Sequence, residues 1–357
     1  MKEQDLYNKL NALEPLLNAK PLSRILNLLA FSYLTLTKQY SKLKDLSSNY
    51  SMVALSPSVL VEDFRALSYL AENDIQNALM EIALAQSIDP EDTYSFLLEG
   101  ILKQSTGNKT EESFGKSIFF ARPKDKTALI SILQSQENSE YAIMFKIDES
   151  SLDEQILEMS KIAESNPGIP YPKLTLAQLY LRKRDIDAAS KVLNSVLSLY
   201  PYYPRALALA YTLHNDYLSD SVAAQHYAVR LFDVNPISIH RNKIPSFASS
   251  EEQSEMLELE NIFLTDNPIL SFAKTRLEEL NKVNTTVLEQ PKDQDTNAAY
   301  ETAKEVKNDF IEDNPQKTQP KPDSYVVDYI ELGRKALSDK DFSEAIKYFL
   351  KALNEQE

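Results

Sequence analysis

The sequence predicts an all-α protein, an α-solenoid of stacked helix–turn–helix repeats followed by a tethered C-terminal helical hairpin. Three observations lead there. Prolines that end helical segments recur at a nearly constant interval. The apolar residues between them recur at helical spacing, with one polar break in each interval. The whole chain of 357 residues holds only five glycines, which leaves little supply of the positive-φ turns that β-hairpins and phosphate-binding loops use. An apolar content of 43% is enough for a substantial core.

The punctuating prolines are Pro57, Pro90, Pro123, Pro167, Pro201, Pro236 and Pro268, separated by 33, 33, 44, 34, 35 and 32 residues. Proline cannot continue a helix and pushes its predecessor out of the α region, so regular prolines mark regular helix boundaries. Within the unit ending at Pro201 the first helix presents Leu176, Ala177 and Tyr180, the break is Arg182-Lys183-Arg184-Asp185, and the second helix presents Ala189, Leu193 and Val196. The unit ending at Pro90 repeats the scheme with Ala66 and Tyr69, a break at Glu72-Asn73-Asp74, then Ala78, Ile82 and Ala85. Small residues recur where two helices must approach closely.

A helix–turn–helix unit of about 34 residues with the spacing L-G-x2-Y, then A-x3-F-x2-A-x4-P, resembles the tetratricopeptide repeat. Residues 329–352 resemble it most, with Tyr329, Leu332-Gly333, Ala336, Phe342, Ala345, Phe349 and Ala352. The units ending at Pro90 and Pro201 match well, and the unit ending at Pro236 follows with Ala210-Tyr211, His214, Ala224 and Leu231. Those ending at Pro57, Pro123 and Pro268 rest on period, and the one ending at Pro167 carries an insertion of about ten residues around 137–150. The resemblance implies a protein-binding role, with a partner peptide lying along a concave face lined by first helices. Residues implied on that face are Leu174, Gln178, Leu181, Ala208 and Thr212, and in the last unit Ile330 and Arg334. The Lys and Asn with which one subclass of the family holds a C-terminal carboxylate are missing there, which favours a more apolar groove or a whole-domain contact.

The expected boundaries are a solenoid over 1–288, with about seven units between capping helices at 3–19 and 269–288, a flexible polar linker over 289–323, and an isolated repeat over 324–357. The linker carries Pro291, Pro315, Pro320 and Pro322 and few large apolar residues, a composition that cannot offset its ordering entropy. Inside it, residues 297–312 place Tyr300, Ala303, Val306 and Phe310 along one helical stripe, either a docking peptide or a transient helix. A lone helix pair buries too little to stand alone, so the last unit should lean on its own solenoid, another copy or a partner. The face it would use includes Phe342, Ile346, Phe349 and Leu353.

A formal charge of −15 argues against nucleic acid or an anionic membrane as the main ligand. No stretch approaches the roughly 20 apolar residues of a membrane span. The first residues lack the features of a secretory leader, so a cytoplasmic location is the expectation. There is no Cys nucleophile, phosphate-binding glycine loop or H-E-x-x-H motif, and no cofactor, metal or catalytic residue is expected. His214 and His226 fall on the two helices of one unit, where a packed or rim role outweighs a metal pair. In YPYYP, Tyr202 and Tyr203 either pack between units or offer a partner contact. Arg182-Lys183-Arg184 reads as a solvated turn or a contact for an acidic partner. Glu251, Glu252, Glu255, Glu258 and Glu260 begin a helix, where the first members suit the helix N-terminus and the later ones leave an acidic patch open. The leading expectation is a non-catalytic scaffold or adaptor. The alternative is a regulatory sensor in which 297–312 or 324–357 competes with a ligand for the groove.

Overall fold

The structure, a computed structural model, describes residues 3–133, 144–147, 151–238 and 249–288. The chain divides into two compact units, Met1–Gln290 and Pro291–Glu357, and every described residue belongs to the first. Tyr300, Phe310, Ile330, Arg334, Phe342, Ile346, Phe349 and Leu353 therefore lie outside the described residues, with the expected linker and final hairpin. Among the described residues all regular elements are helical. They are α1 (Glu3–Ala19), α2 (Arg24–Leu36), α3 (Tyr40–Val53), α4 (Val59–Ala71), α5 (Ile75–Ile88), α6 (Thr93–Ser105), α7 (Glu111–Phe120), α8 (Pro123–Leu133), α9 (Leu152–Ser165), α10 (Pro170–Lys183), α11 (Ile186–Leu199), α12 (Pro204–Thr212), α13 (Ser221–Val234), α14 (Ser250–Thr265) and α15 (Pro268–Leu288). A π-helical turn, Leu213–Tyr217, extends α12, and a short 3₁₀ turn, Pro236–Ser238, follows α13.

The repeat is written in the backbone. Lys38, Asn73, Gly107, Arg184 and Ser219 all adopt left-handed φ values, between 54° and 74°, and each stands between the first and second helix of a pair. Their separations of 35, 34, 77 and 35 residues skip one unit, the one holding the insertion. Four of the five are not glycine, and each non-glycine left-handed residue costs on the order of 1 kcal/mol. After Asn73, Arg184 and Ser219 comes an aspartate, Asp74, Asp185 or Asp220, whose carboxylate accepts a backbone N–H of the helix it opens. Ser151 and Ser249 open α9 and α14 with full capping boxes, paired with Glu154 and Glu252.

Successive helices pack antiparallel, α2 on α3, α4 on α5, α6 on α7, α10 on α11 and α12 on α13, and each pair packs on the next at α3–α4, α5–α6 and α11–α12. The expected small and apolar positions are buried: Ala66, Ala78, Ala85, Ala177, Ala189, Leu193 and Val196 expose 1% or less. Close approach is tightest at Gly100 of α6, where a Cβ would stand 2.1 Å from the Phe114 ring of α7.

One expectation is overturned. Residues 269–288 do not cap the far end of the solenoid. With α14, α15 turns back across the chain and packs on α2, α4, α6 and α8, the first helices of successive units. The apolar stripe of α15, with Ile269, Leu270, Phe272, Ala273 and Leu277 all buried, joins the large core built by α1–α8. An apolar stripe requires cover without naming the cover, and α2, α4 and α6 together offer far more surface than the single edge left by α13.

Candidate partner-binding surface

The inner face formed by α2, α4, α6 and α8 is the surface on which the repeat would be expected to take a peptide, and in this chain α14 and α15 fill it. Phe263 inserts between the rings of Phe64 and Tyr94, at centroid distances of 6.3 and 6.0 Å, and exposes 2% of its surface. Phe272 meets Tyr40 edge-on at 5.6 Å. At the turn between α14 and α15, Asn267 caps α15 by accepting from Ile269 and Leu270, while its amide donates to the Tyr94 hydroxyl at 2.8 Å. Tyr94 is itself held by Arg122 and Asp125. At the other end Glu258 accepts from Tyr33 at 2.5 Å and Lys9 at 2.9 Å, and Glu251 pairs with Lys20. Burial opposes the charged form of Glu258, but the bonds from Tyr33 and Lys9 outweigh it and hold the carboxyl below its usual range. Glu258, one of the later members left open as a patch, thus ties α14 to α1 and α2, and Glu251, at the helix N-terminus, ties it to the α1–α2 turn.

The residues expected on the concave face of the later units divide. Leu174, Leu181 and Tyr203 are buried in a core shared by α10, α11 and α12 and leave no side-chain surface for a partner. This corrects their assignment: α10 is covered by α9 on one side and α11 on the other, so its apolar positions face helices in both directions. Gln178, Ala208 and Thr212 are half-buried, and the Gln178 amide oxygen is taken by Arg205 at 3.2 Å. Tyr202 is half-buried with Arg230 over its ring at 5.8 Å. The tyrosines of YPYYP therefore serve the joint between units. Arg184 is the left-handed turn residue, and Lys183 pairs with Asp153 at 2.6 Å on the surface, which is the solvated-turn reading of that basic run.

Exposed apolar side chains gather elsewhere. Between the α1–α2 turn, the α3–α4 turn, the end of α13 and the start of α14 lies a cleft of about 460 Å³. Leu22, Val53 and Leu55 line it and are 56%, 50% and 92% exposed. Arg24 also lines it, with its side chain 10% exposed. One guanidinium nitrogen donates to the carbonyl and hydroxyl of Ser56, both at 2.9 Å. The Asp233 carboxylate stands 3.5 Å from Nη1, and Nε and Nη1 make no hydrogen bond. Both nitrogens are sealed from solvent, and Asp233 supplies the charge that faces this buried cation.

A second polar feature lies in the interior. Asp63 in the middle of α4 and Asp89, Glu91 and Asp92 in the α5–α6 turn are all buried. Facing them, Arg205 at the start of α12 donates to Glu91 at 2.9 Å and stacks on Tyr171 at 4.9 Å. Beside this joint, Ser58 donates to the Val234 carbonyl at 3.1 Å. The local sequence carried one signal of this cluster: Glu62-Asp63 interrupts the apolar run of α4, where a solvated helix face would not place it.

His214 and His226 do not converge. The Tyr227 ring lies between them, 5.3 Å from the first and 6.0 Å from the second, and His214 stands 3.6 Å from Asp220. Among the described residues no group of three His, Asp or Glu side chains has metal-ligand geometry, and no helix is long and apolar enough to cross a membrane.

No protein-family model matches the chain, and no curated protein matches it. Among solved structures it is similar to a tetratricopeptide repeat protein from Parabacteroides merdae ATCC 43184. The two are 14% identical, the match covers 72% of this chain and 93% of that one, and the TM-score is 0.26. A likeness at that level carries no weight, and the repeat architecture rests on this chain's own left-handed positions and helix pairing.

Proposed function

We propose that the protein is a non-catalytic scaffold or adaptor of the tetratricopeptide type, which holds one or more protein partners on a surface of stacked helices, in the cytoplasm. What supports this reading most directly is the cleft beside Arg24, where Leu22, Val53 and Leu55 stand exposed. A partner segment that brings an apolar side chain would cover them. Because α14 and α15 already fill the inner face of the first units, the cleft is the partner surface of this half of the chain. The last repeat, 324–357, supplies a second contact, to another copy or to a partner.

The test is capture from native cells by the full chain, by a Val53→Glu/Leu55→Glu variant and by a chain lacking 289–357. Both substituted residues are half or more exposed, so the fold persists and circular dichroism checks it. Proteins held at the cleft should be lost with the double variant and kept by the truncation, and any held by the last repeat should show the reverse. Capture of the same set by the double variant overturns the cleft, and loss of every partner on truncation moves the site to the tail. The sensor alternative, in which 297–312 or 324–357 competes for the groove, would have to displace α14 and α15 in the first units.

A further inference from the structure

We propose that the joint between the first units and the later ones is a proton-operated latch: Asp63, Asp89, Glu91 and Asp92 close against Tyr203 and Arg205 while the cluster holds its protons, and the joint loosens as they leave.

The geometry sets the charge problem. Four carboxyl groups meet one cation in a site shielded from water, where Asp63 exposes 0% and Asp92 5% of their surface. Arg205 is spent on Glu91, and three aspartates are left without a counter-charge. The nearest other acid, Glu62, already pairs with Arg65 at 2.8 Å, and Arg65 also holds Glu81. Neither oxygen of Asp63 meets an N–H or O–H donor, and the carboxyl that acts most strongly on it is that of Asp92. Two carboxyl groups bond to each other only with a proton between them.

The proton sits on the Asp63 side, because Asp92 is the N-cap of α6 and its oxygen accepts from the Ser95 N–H at 2.5 Å, a role that favours the anion. Asp89 accepts from the Glu91 N–H at 3.0 Å and faces both Asp92 and Glu91, with Arg205 as its one opposing charge. Burial first, then these like charges, push Asp63 and Asp89 well above the carboxylate range. Burial raises Asp92 to about 6 against the pull of its own hydrogen bonds. Glu91 is raised by burial and restrained by Arg205 and Tyr203.

The direction of the response follows from linkage. An acid with a raised folded-state pKa binds more protons folded than unfolded. Its stabilisation is complete below the ordinary aspartate value and falls as pH rises through the folded value. The latch is therefore tight near pH 5 and weakens upward through pH 6 and beyond. The opening constant rises up to about tenfold per pH unit for each proton that leaves. Opening separates the start of α12 from the α5–α6 turn and frees Tyr171 from Arg205, so protons would control how the two groups of units sit together.

The test is amide exchange of residues 203–212 in the full chain between pH 5 and 8, corrected for the intrinsic rate and compared with residues 26–34 of α2. Protection of α12 should fall at least tenfold more than that of α2 across this range. The Asp63→Asn variant, whose amide can donate to Asp92 at any pH, should flatten the difference. The variant separates the effect of Asp63 from that of every group outside the cluster. Equal protection at pH 5 and 8 in the wild type overturns the proposal. A pH dependence that survives unchanged in Asp63→Asn overturns it too. Should Asp63→Asn fold poorly, Asp89→Asn provides the same comparison.

Discussion

Phe263 is a buried aromatic side chain of α14 seated against the first units, and replacing it by alanine tests the arrangement. Phe263 exposes 2% of its surface and loses two ring contacts on truncation, with Phe64 at 6.3 Å and Tyr94 at 6.0 Å. Removing a buried phenylalanine costs about 3–5 kcal/mol, and each aromatic pair adds about 0.5–1.5 kcal/mol beyond its area. The cavity would open between helices far apart in sequence, which cannot collapse onto each other locally. We therefore expect about 4 kcal/mol, in the upper part of the range. The assay is denaturant unfolding followed by circular dichroism, with Leu257→Ala on the same helix as control. Leu257 is 37% exposed, and its truncation should cost less than about 1 kcal/mol. Amide exchange adds the spatial test, since α2, α4 and α6 should lose protection before α11 and α13. A cost below about 1 kcal/mol for Phe263→Ala, or loosening of α13 alone, would return α14 and α15 to the far end of the solenoid and refute the groove.

Gly100→Ala should destabilise by about 1–3 kcal/mol, because the added methyl lands on the Phe114 ring; an unchanged denaturation midpoint would mean that the ring swings away freely. Arg184→Gly should stabilise by about 0.5–1 kcal/mol by relieving a left-handed arginine, and a fall in melting temperature would contradict it. Asp74→Ala removes the bond to the Asn77 N–H at 3.2 Å and should cost about 1 kcal/mol, read as a shift in the urea midpoint. Glu258 has its pKa lowered in the fold, so its contribution is present above the ordinary glutamate value and lost as pH falls through the folded one. Glu258→Gln should therefore shrink the stability difference between pH 6 and pH 3.5, and an unaltered acid limb would exclude Glu258 as a contributor.

How much of this was legible in the sequence depended on the kind of signal. The proline ladder and the alanine positions fixed helix boundaries and packing faces because both act through a helix's own geometry: Pro90 and Pro201 interrupt it, and Ala78 and Ala189 let a neighbour in. What a stripe packs against is another matter. Residues 269–288 read as a capping helix, but nothing local distinguishes the edge of α13 from the inner faces of α2, α4 and α6. Pro268 read as punctuation, whereas the amide of Asn267 before it reaches Tyr94, 173 residues away. Leu174 and Leu181 were assigned by their place in the repeat, and burial by α9 and α11 removed them, while Tyr203 of YPYYP packs between units, one of its two readings. Asp89-Pro90 likewise read only as a break. The cluster with Asp63 forms because α12 brings Arg205 and Tyr203 to that turn, a contact of 114 residues' separation that no periodicity encodes.

The return of α14 and α15 also sets an order of events during synthesis. Helices α2 to α6 leave the ribosome with their inner faces uncovered, and their cover begins to be translated roughly 145 residues after the end of α6 and 214 after the end of α2. At about 5–20 residues per second that interval lasts on the order of 7–43 seconds. For that time Phe64 and Tyr94 lack the Phe263 ring that packs between them. The early half of the solenoid thus completes its core only when the late half has been made.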